Sequence, residues 1–316
     1  MKISLLAYAK INLFLDVTGR RENGYHTITG VMQAVDLSDR VTVTAESPIV
    51  QGSGDGTILL TCSDPTLPAD AKNLAYRAAV AYFAATGYTC DRLLIDIEKH
   101  SPAAAGLAGG STDAAATLVA LNELCGRPLD EDALCAVGLT LGADVPFCIK
   151  GGTHLTEGVG EELTPLAPMP DCEILIACAG EGVSTPAAYR ALDEMHGDFA
   201  PGAYQPCYDR RDAQLDALRA GDLDGVCAST HNIFESAILP ERPVAASIKE
   251  TMQKSGAIVA MMSGSGPSVF GVFRTDDPAL ATAQKALQER GIPSWRCRPV
   301  RKQDGESPFC ITLHHR

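Results

Sequence analysis

The sequence is poor in positive charge and contains no long apolar run. Its 316 residues include 39 acidic and 26 basic side chains, which gives a formal net charge of −13. An acidic surface repels phosphate backbones, so we expect no nucleic-acid partner and no attraction to anionic lipid membranes. The longest apolar stretches, such as residues 174–179, fall far short of the ~20 residues that cross a bilayer. Any anionic ligand must therefore be held by a local site.

Paired cysteine motifs are also missing. Eleven cysteines are spread from Cys62 to Cys310, with no CxxC pair and no histidine at metal-ligand spacing. This distribution is typical of buried free thiols in a reducing compartment. The N-terminus carries neither a basic-then-apolar signal nor a transit segment rich in arginine and serine. We therefore expect a cytoplasmic protein.

The commoner nucleotide-binding motifs are absent as well. The chain has no Gly-Lys dipeptide, which excludes a GxxxxGK[ST] loop, and no strand pattern is followed by GxGxxG. HRD and DFG are missing, so the chain is not a protein kinase. What remains is an ordinary globular balance of 46% hydrophobic and 21% charged residues. The length predicts two domains of about 150 residues each.

A proline-rich stretch predicts where the two domains meet. Three prolines fall within residues 165–170, a density that is rare inside a helix or strand. We place the boundary there, with an N-terminal domain of residues 1–164 and a C-terminal domain of residues 165–316. Strands are predicted over residues 3–15, 41–45, 57–62, 93–98, 173–178, 258–262 and 269–273. Helices are predicted over residues 73–86, 111–124, 187–195, 213–219 and 244–255.

A glycine-rich loop joins a predicted strand to a predicted helix. Residues 102–116 read PAAAGLAGGSTDAAA. Its three glycines allow several amide N–H groups to converge on a phosphate, and the following helix adds its positive N-terminal end. Ser111 can cap that helix or donate to a phosphate oxygen. The alternative is a plain glycine turn before a helix, which three glycines alone favour.

Lys10, Asn12 and Asp144 are candidates for chemistry. The first two project from the even-numbered, polar face of the first strand, whose odd positions are apolar. A lysine on such a face is usually only solvated. Asp144 lies in GADVPF, where the residue before Pro146 favours extended geometry, so we expect it at the boundary of an element. A capping or turn aspartate is the alternative.

Two further turns carry groups that suit a nucleotide. The sequence GRRENGYHTI at residues 19–28 presents Tyr25 and His26, which can stack on a flat heterocycle and bond to it; an ordinary hairpin is the alternative. Near the C-terminus, MSGSGPSVFGVF at residues 262–273 contains a tight glycine turn between two apolar runs. That turn allows close approach of a phosphate, or is an ordinary connection.

Together, and in this order, these motifs resemble those of the GHMP kinases, which phosphorylate small molecules. The second motif of that family has the form PxxxGLGGSS, and its third is a glycine-rich turn near the C-terminus. The segments AYAKINLFLDVTGRRENGYHTI, AGLAGGSTDAA, GADVPF and EGVGEELTPL are most similar to one branch of the family. The resemblance runs from Ala9 to Phe273. It implies an α+β, two-domain GHMP kinase fold with the active site in the cleft between domains.

The resemblance also implies a reaction. Members of that branch transfer the γ-phosphate of ATP to the 2-hydroxyl, a tertiary alcohol, of a methylerythritol carrying a cytidine diphosphate, a step towards isoprenoid precursors by the non-mevalonate route. Their catalytic pair matches Lys10 and Asp144. ATP implies Mg²⁺, whose ligands stay open, with Ser111 as the only candidate. Two alternatives remain: a GHMP kinase for mevalonate, homoserine or a sugar, and a catalytically silent nucleotide-binding regulator. We expect a monomer or a weak homodimer.

The binding residues implied by the resemblance fall into two sets. Those matched to ATP are Asn73, Leu74, Lys99, Pro102, Ala103, Ala104, Ala105, Gly106, Leu107, Ala108, Gly109, Gly110 and Ser111. Those matched to the cytidine diphosphate substrate are Asn12, Tyr25, His26, Ser184, Thr185, Tyr189, Gly264, Ser265 and Gly266. Ala108 departs from the family, in which many members carry glycine. We expect an ordinary backbone φ there, because a methyl group narrows the allowed conformations.

Overall fold

The computed structural model describes residues 1–52, 56–200, 202–301 and 309–314. These residues form an α+β structure with one large sheet, a four-stranded sheet and a small two-stranded one. The strands are β1 (Lys2–Arg20), β2 (His26–Ala45), β3 (Val50–Gln51), β4 (Thr57–Cys62), β5 (Tyr88–Thr89), β6 (Arg92–Glu98), β7 (Thr153–Glu157), β8 (Glu162–Pro165), β9 (Glu173–Ala177), β10 (His231–Asn232), β11 (Val259–Met262), β12 (Val269–Phe273), β13 (Ser294–Cys297) and β14 (Ile311–His314). The helices are α1 (Leu74–Thr86), α2 (Gly109–Leu124), α3 (Glu131–Leu139), α4 (Asp144–Lys150), α5 (Thr185–His196), α6 (Tyr208–Ala220), α7 (Leu223–Ala228), α8 (Phe234–Ile238), α9 (Pro243–Lys254) and α10 (Pro278–Gln288).

The large sheet is built around the antiparallel pair β1 and β2. Its strand order is β10-β1-β2-β6-β4, with β14 added to β1 and the hairpin of β7 and β8 added to β2. Helices α1 to α4 pack against this sheet through one apolar cluster. The late strands β10 and β14 return to β1, so residues from the C-terminal part of the chain complete the first sheet.

Strand β1 changes sides partway along its length. Ile3, Leu5 and Ala7 pack with the cluster under helices α1 and α2, whereas Ile11 and Leu13 pack with strands of the four-stranded sheet. The change coincides with a bulge between the two strands: Tyr8 pairs with Ser38 but Lys10 pairs with Ala34, so β2 carries two more residues than β1 over this stretch. The predicted single buried face was therefore wrong: both faces are covered, and Lys10 and Asn12 are buried.

The four-stranded sheet has the order β11-β12-β9-β13 and is antiparallel throughout. Helices α9 and α10 cover one face, through a cluster that includes Leu175, Ile248 and Leu280. Its other face packs against the second half of β1, with α6 and α7 joining the same cluster. A fourth cluster holds α5 and α8 near the ends of β1 and β2. This arrangement leaves a cleft where the two sheets, α2, α4 and α5 approach one another.

Most predicted elements are found at the expected places. Helix α1 starts one residue after Asn73, whose side chain accepts a hydrogen bond from the Ala75 amide at 2.9 Å, and it ends at Gly87 with a left-handed φ of 70°. Helix α2 begins at Gly109, two residues earlier than predicted. Strand β2 is much longer than the predicted residues 41–45. The prediction missed its first part because buried polar residues such as Gln33 and Asp39 interrupt the apolar pattern there.

Candidate active site

One cleft of about 810 Å³ gathers most of the predicted site residues. The predicted residues that line it are Lys10, Asn12, Tyr25, His26, Leu74, Ala104, Ala105, Gly106, Ala108, Gly109, Gly110, Ser111, Asp144, Thr185, Tyr189, Gly264 and Ser265. The predicted residues that are not part of its wall are Asn73, Lys99, Pro102, Ala103, Leu107, Ser184 and Gly266. Arg20, Arg190 and Asp193 also line the cleft. Arg20 belongs to the GRRENGYHTI segment, but none of the three was predicted as a site residue.

Lys10 and Asp144 meet across the cleft. Lys10 is buried on β1, and its Nζ donates a hydrogen bond to Asn12 Oδ1 at 2.8 Å and lies 3.9 Å from Asp144 Oδ2. Asp144 is the first residue of α4, at an element boundary as expected, and its side chain is 35% exposed. The pair therefore combines a fixed cation with a carboxylate that a ligand can reach.

The glycine-rich loop is tied to both β1 and the C-terminal glycine turn. The Lys10 amide donates to the Leu107 carbonyl at 3.2 Å. Ser263 Oγ donates to the Gly106 carbonyl at 3.0 Å and accepts from the Asn12 amide at 3.3 Å. Gly106 has φ +78°, and a Cβ there would overlap the Ser263 carbonyl oxygen, so only glycine fits. Hydrogen bonds thus connect the glycine-rich loop, the C-terminal glycine turn and β1 to one another.

Ala108 adopts a left-handed conformation with φ 59°, so the expected ordinary φ was wrong. It is the residue from which α2 starts, and no side chain among the described residues caps that helix. The left-handed position turns the chain sharply into the helix, at a strain of about 1–2 kcal/mol for a residue with a Cβ. Because the first amides of a helix have no partner within it, those of α2 are left for a ligand at the cleft.

Asn73 and Lys99 do not line the cleft. Asn73 caps α1, while its neighbour Leu74 reaches the cleft beside Gly110. Lys99 is buried in ion pairs with Asp39 and with Asp113, the latter at 2.9 Å. Its ammonium ion is therefore engaged beneath the glycine-rich loop, and the predicted contact of Lys99 with adenine stays a prediction.

Aromatic side chains form another part of the wall of the cleft. His26 and Tyr189 stack with ring centroids 4.5 Å apart and an interplanar angle of 13°. His26 Nε2 lies 2.6 Å from Asp193 Oδ1, and the edge of His26 meets Phe199. Tyr25 is 65% exposed, which leaves one of its faces open to a planar ligand. Burial raises the pKa of Tyr189 to about 12, so its hydroxyl stays neutral.

The C-terminal glycine turn is held from below. Asn232 Nδ2 donates to the carbonyl oxygens of Met262 at 2.7 Å and Gly264 at 2.8 Å. Thr185 Oγ1 and Ser265 Oγ lie 3.2 Å apart, which connects the turn to α5, and Ser184 precedes that helix as its N-cap residue. Sequence reasoning missed Asn232, because a single asparagine between a histidine and an isoleucine carries no motif.

A carboxylate, a thiol and an imidazole that could together hold a metal ion lie outside the cleft. The ligand atoms of Asp16, Cys207 and His231 fall within 4.8 Å of one another. Asp16 already accepts hydrogen bonds from the amides of Val17 and Cys207 and from the Tyr204 hydroxyl. Thiol and imidazole groups do not suit Mg²⁺, which prefers oxygen ligands. The oxygen donors that face the cleft, Ser111 and Asp144, fit it better.

Two family models match parts of the chain, and similar proteins match about nine-tenths of it. Models of the GHMP kinases N terminal domain and the GHMP kinases C terminal match residues 73–152 and 214–292. The 4-diphosphocytidyl-2-C-methyl-D-erythritol kinase of Clostridium perfringens is 40% identical over 290 residues, spanning 90% of this chain and 92% of the relative. The enzyme of the same name from Desulfitobacterium hafniense is 40% identical over 295 residues, spanning 93% of this chain and 94% of the relative.

Solved structures agree on the fold. A crystal structure of a 4-(cytidine 5'-diphospho)-2C-methyl-D-erythritol kinase is 34% identical, with a TM-score of 0.74 over 94% of this chain and 98% of that chain. Homoserine kinase from Cytophaga hutchinsonii, at 20% identity, matches with a TM-score of 0.73 over 98% of this chain and 97% of that chain, which shows the fold alone.

The fold and the cleft define the class as that of the GHMP kinases, and the predicted α+β GHMP kinase fold is confirmed. The chain belongs to this family, in the branch of the 4-diphosphocytidyl-2-C-methyl-D-erythritol kinases. No helix in the described part of the chain is long and apolar enough to cross a membrane.

Proposed function

We propose that the protein phosphorylates the 2-hydroxyl of 4-diphosphocytidyl-2-C-methyl-D-erythritol with ATP, in the non-mevalonate route to isoprenoid precursors. The single observation that carries this proposal is that Lys10 and Asp144 lie 3.9 Å apart in a cleft that also contains the uncapped start of α2. A cation, a carboxylate and a set of free amides are the groups that phosphoryl transfer requires. Relatives at 40% identity that carry this enzyme's name support the choice of substrate.

The phosphates of ATP would rest on the glycine-rich loop. The amides at the start of α2 and the helix dipole both favour an anion at that position. Gly109 and Gly110 admit the phosphates closely because no side chain projects from either residue. The predicted adenine contacts of Asn73 and Lys99 are less well supported than the contact of Leu74, since Leu74 alone of the three lines the cleft.

Asp144 would orient the attacking hydroxyl and accept its proton as the new bond forms. The acceptor oxygen bonds to the γ-phosphorus while the bond from that phosphorus to the bridging oxygen breaks, and ADP leaves. Charge spreads over the phosphoryl oxygens, where the Lys10 ammonium ion offsets it. Asn12, bonded to Lys10 at 2.8 Å, fixes the direction of that ammonium ion. Positioning and electrostatics contribute most of the acceleration in such a loose transition state.

Mg²⁺ is proposed as the companion of ATP. The cleft offers it a hard oxygen donor, the Ser111 hydroxyl in the first turn of α2. When bound, it would neutralise phosphate charge and leave the protein few direct ligands to supply, because Mg²⁺ keeps several waters.

The cytosine would bind at the aromatic end of the cleft. Tyr25 supplies an open face for stacking, and the stacked pair of His26 and Tyr189 supplies an imidazole edge for hydrogen bonding. The bond to Asp193 orients that imidazole, as a carboxylate does for many functional histidines. Thr185 and Ser265 lie between this end and the phosphate loop, where they suit the diphosphate.

Three further expectations belong to this proposal. We propose the domain boundary at residues 164 and 165, a monomer or weak homodimer, and a cytoplasmic enzyme. The eleven cysteines all lie in the described part of the chain and form no disulfide there, as is typical of proteins in a reducing compartment.

The direct test is incubation of the purified protein with ATP, Mg²⁺ and the cytidylylated methylerythritol, followed by mass spectrometry. A product heavier by one phosphoryl group is expected. A panel containing mevalonate, homoserine and sugars, scored by ADP release, tests the other kinase assignments. Release of ADP with one of those alcohols and not with the cytidine substrate would overturn the proposal. Nucleotide binding with no product in a single turnover would favour the silent regulator instead.

A further inference from the structure

A fully buried carboxylate on β1 has no basic partner. The Asp16 side chain is 0% exposed, and no lysine or arginine in the described part of the chain forms an ion pair with it. Its hydrogen bonds come from neutral donors: Oδ1 accepts from the Val17 amide at 2.9 Å and the Tyr204 hydroxyl at 2.7 Å, and Oδ2 accepts from the Cys207 amide at 2.8 Å. Buried carboxylates are ordinarily paired with a cation or bound to a metal ion. Asp16 Oδ2 accepts one hydrogen bond, so it has a lone pair left for such a partner.

The imidazole of His231 faces this carboxylate without bonding to it. His231 lies on β10 opposite Phe14 of β1, and the two ring centroids are 5.3 Å apart. His231 Nε2 lies 3.8 Å from Asp16 Oδ2, which is beyond hydrogen-bond distance. The same nitrogen is buried and has no hydrogen-bond partner among the described residues. A buried ring nitrogen in this state costs stability unless another group binds to it.

The Cys207 thiol is the third group at this place. Cys207 directly precedes α6 and is half-buried. Its sulfur atom and one ligand atom each of Asp16 and His231 all lie within 4.8 Å of one another. Ligand atoms that share one zinc ion, at about 2.0–2.3 Å from it, lie about 3.3–3.6 Å apart in tetrahedral geometry. Movements of about 1 Å would therefore bring all three atoms onto one ion.

These three donors suit zinc. Carboxylate oxygen, imidazole nitrogen and thiolate sulfur are the ligand types with which proteins bind Zn²⁺, whereas Mg²⁺ takes oxygen ligands. One carboxylate, one thiolate and a divalent ion have a total charge of zero, once the proton of the thiol has passed to solvent. Zn²⁺ therefore supplies the positive charge that the buried Asp16 carboxylate lacks.

We propose that Asp16, Cys207 and His231 bind one Zn²⁺ ion, with a water molecule as the fourth ligand. Three protein ligands and one water are a common zinc coordination. The side chain of His231 is 21% exposed, so the ion and its water can reach the site from solvent. None of the three ligands lines the cleft, so the ion can bind whether or not the cleft acts as a kinase.

The ion joins parts of the chain that are distant in sequence. It connects β1 to β10 and to the segment before α6, and Asp16 and Cys207 are 191 residues apart. Because the ligands meet only in the folded chain, Zn²⁺ binding stabilises the folded state. Asn232, the neighbour of His231 on β10, donates to two carbonyl oxygens of the C-terminal glycine turn. The ion therefore also holds the strand that supports this turn.

The test is calorimetric titration of the chelator-treated protein with Zn²⁺, without nucleotide, followed by thermal unfolding with and without the ion. For the wild type we expect one Zn²⁺ per chain. At free Zn²⁺ about 100 times the dissociation constant, the unfolding midpoint should rise by roughly 4–8 °C. In Cys207→Ser and in His231→Gln, the affinity should fall by about 100-fold or more, and the midpoint should no longer respond to Zn²⁺. Both substitutions keep a polar side chain at the position.

A matched control separates Cys207 from the other thiols. Cys62→Ser alters a half-buried thiol at the end of β4, in a different apolar cluster from Cys207, and it should bind Zn²⁺ as the wild type does.

Co²⁺, used in place of Zn²⁺, reports sulfur ligation directly through thiolate-to-cobalt charge-transfer absorption. We expect this absorption in the wild type and in Cys62→Ser, and its loss in Cys207→Ser. A wild-type protein that binds no Zn²⁺ overturns the proposal without any variant. Stoichiometric binding that persists in both Cys207→Ser and His231→Gln places the ion on other residues and also overturns it.

Discussion

Lys10 is closer to Asn12 than to Asp144: its Nζ lies 2.8 Å from the amide oxygen of Asn12 and 3.9 Å from the carboxylate of Asp144. The ammonium ion is therefore positioned by a neutral neighbour on its own strand, and the carboxylate keeps an exposed oxygen for the acceptor. In the proposed mechanism, charge stabilisation by Lys10 and proton acceptance by Asp144 are thus assigned to residues on different elements, β1 and α4.

Replacing Asp144 by asparagine should abolish most of the turnover. The asparagine side chain keeps the shape of aspartate but cannot accept the proton of the hydroxyl. We therefore expect kcat to fall by about 10²- to 10⁴-fold. The cytidine ligand should still bind, because the proposed contacts of its base are with Tyr25 and His26 and not with Asp144. Calorimetry with the cytidine substrate checks this, and loss of binding with normal residual turnover would contradict the assigned role.

Asn12 should matter chiefly through Lys10. Asn12→Ala removes a hydrogen bond to a buried charge, and we expect kcat to fall by about 10- to 100-fold. In a Lys10→Met background the same change should have little further effect, because the bond it removes is already gone. Additive effects of the two substitutions in steady-state kinetics would show that Asn12 acts independently of the ammonium ion.

Tyr25 should contribute to substrate affinity without contributing to chemistry. Tyr25→Ala removes a stacking face worth about 1–3 kcal/mol per base, so KM for the cytidine substrate should rise by about 10- to 100-fold with kcat nearly unchanged. Tyr208→Ala, which removes a half-exposed tyrosine from α6, is the control. A change confined to KM for ATP would place the pocket elsewhere.

Glycine at position 106 should be needed for stability as well as for binding. Its φ of +78° and the nearby Ser263 carbonyl leave no room for a Cβ, so Gly106→Ala should lower the free energy of unfolding by about 2 kcal/mol or more. At Gly110 a Cβ would make an ordinary 3.4 Å contact with Leu74, and Gly110→Ala should be nearly neutral. Urea unfolding of both variants measures the contrast, and equal losses would contradict it.

Asp113 should also give the folded state a measurable pH dependence. Its folded pKa, raised to about 7, lies above the unfolded value, so the folded state loses stability as pH rises from about 4 to about 7, and the loss is complete above that range. Asp113→Asn removes this term, and its unfolding free energy relative to the wild type should rise by about 1–3 kcal/mol between pH 5 and 8.5. Denaturant titrations at the two pH values check the sign; a falling difference would contradict it.

About half of the helices and strands, and most of the cleft residues that belong to motifs, could be predicted from the sequence. Asp144 at the start of an element and the helix capped by Asn73 follow from local rules, since proline and capping preferences act over a few residues. The sequence predicted one apolar face along all of β1 and an ordinary φ at Ala108, and both predictions were wrong. Both depend on what packs against the chain from distant segments, and local pattern carries no information about that.

Supporting residues were the hardest to find. Asp193, Asn232 and Asp39 each hold a motif residue or a loop in place, yet each is a single polar residue within an otherwise ordinary stretch. Their partners are far away in sequence, so the contact becomes visible only once the strands are paired. The buried ion pairs of Lys99 with Asp39 and Asp113 are the clearest case, because they join β2, the end of β6 and α2.

The bulge of β1 against β2 has a mechanical consequence. The strand rests on the helices before the bulge and on the smaller sheet after it, and Lys10 follows the bulge directly. A shift of the helices relative to the smaller sheet would therefore move Lys10 relative to the glycine-rich loop. The position of Lys10 relative to the glycine-rich loop therefore depends on the packing of both layers at once.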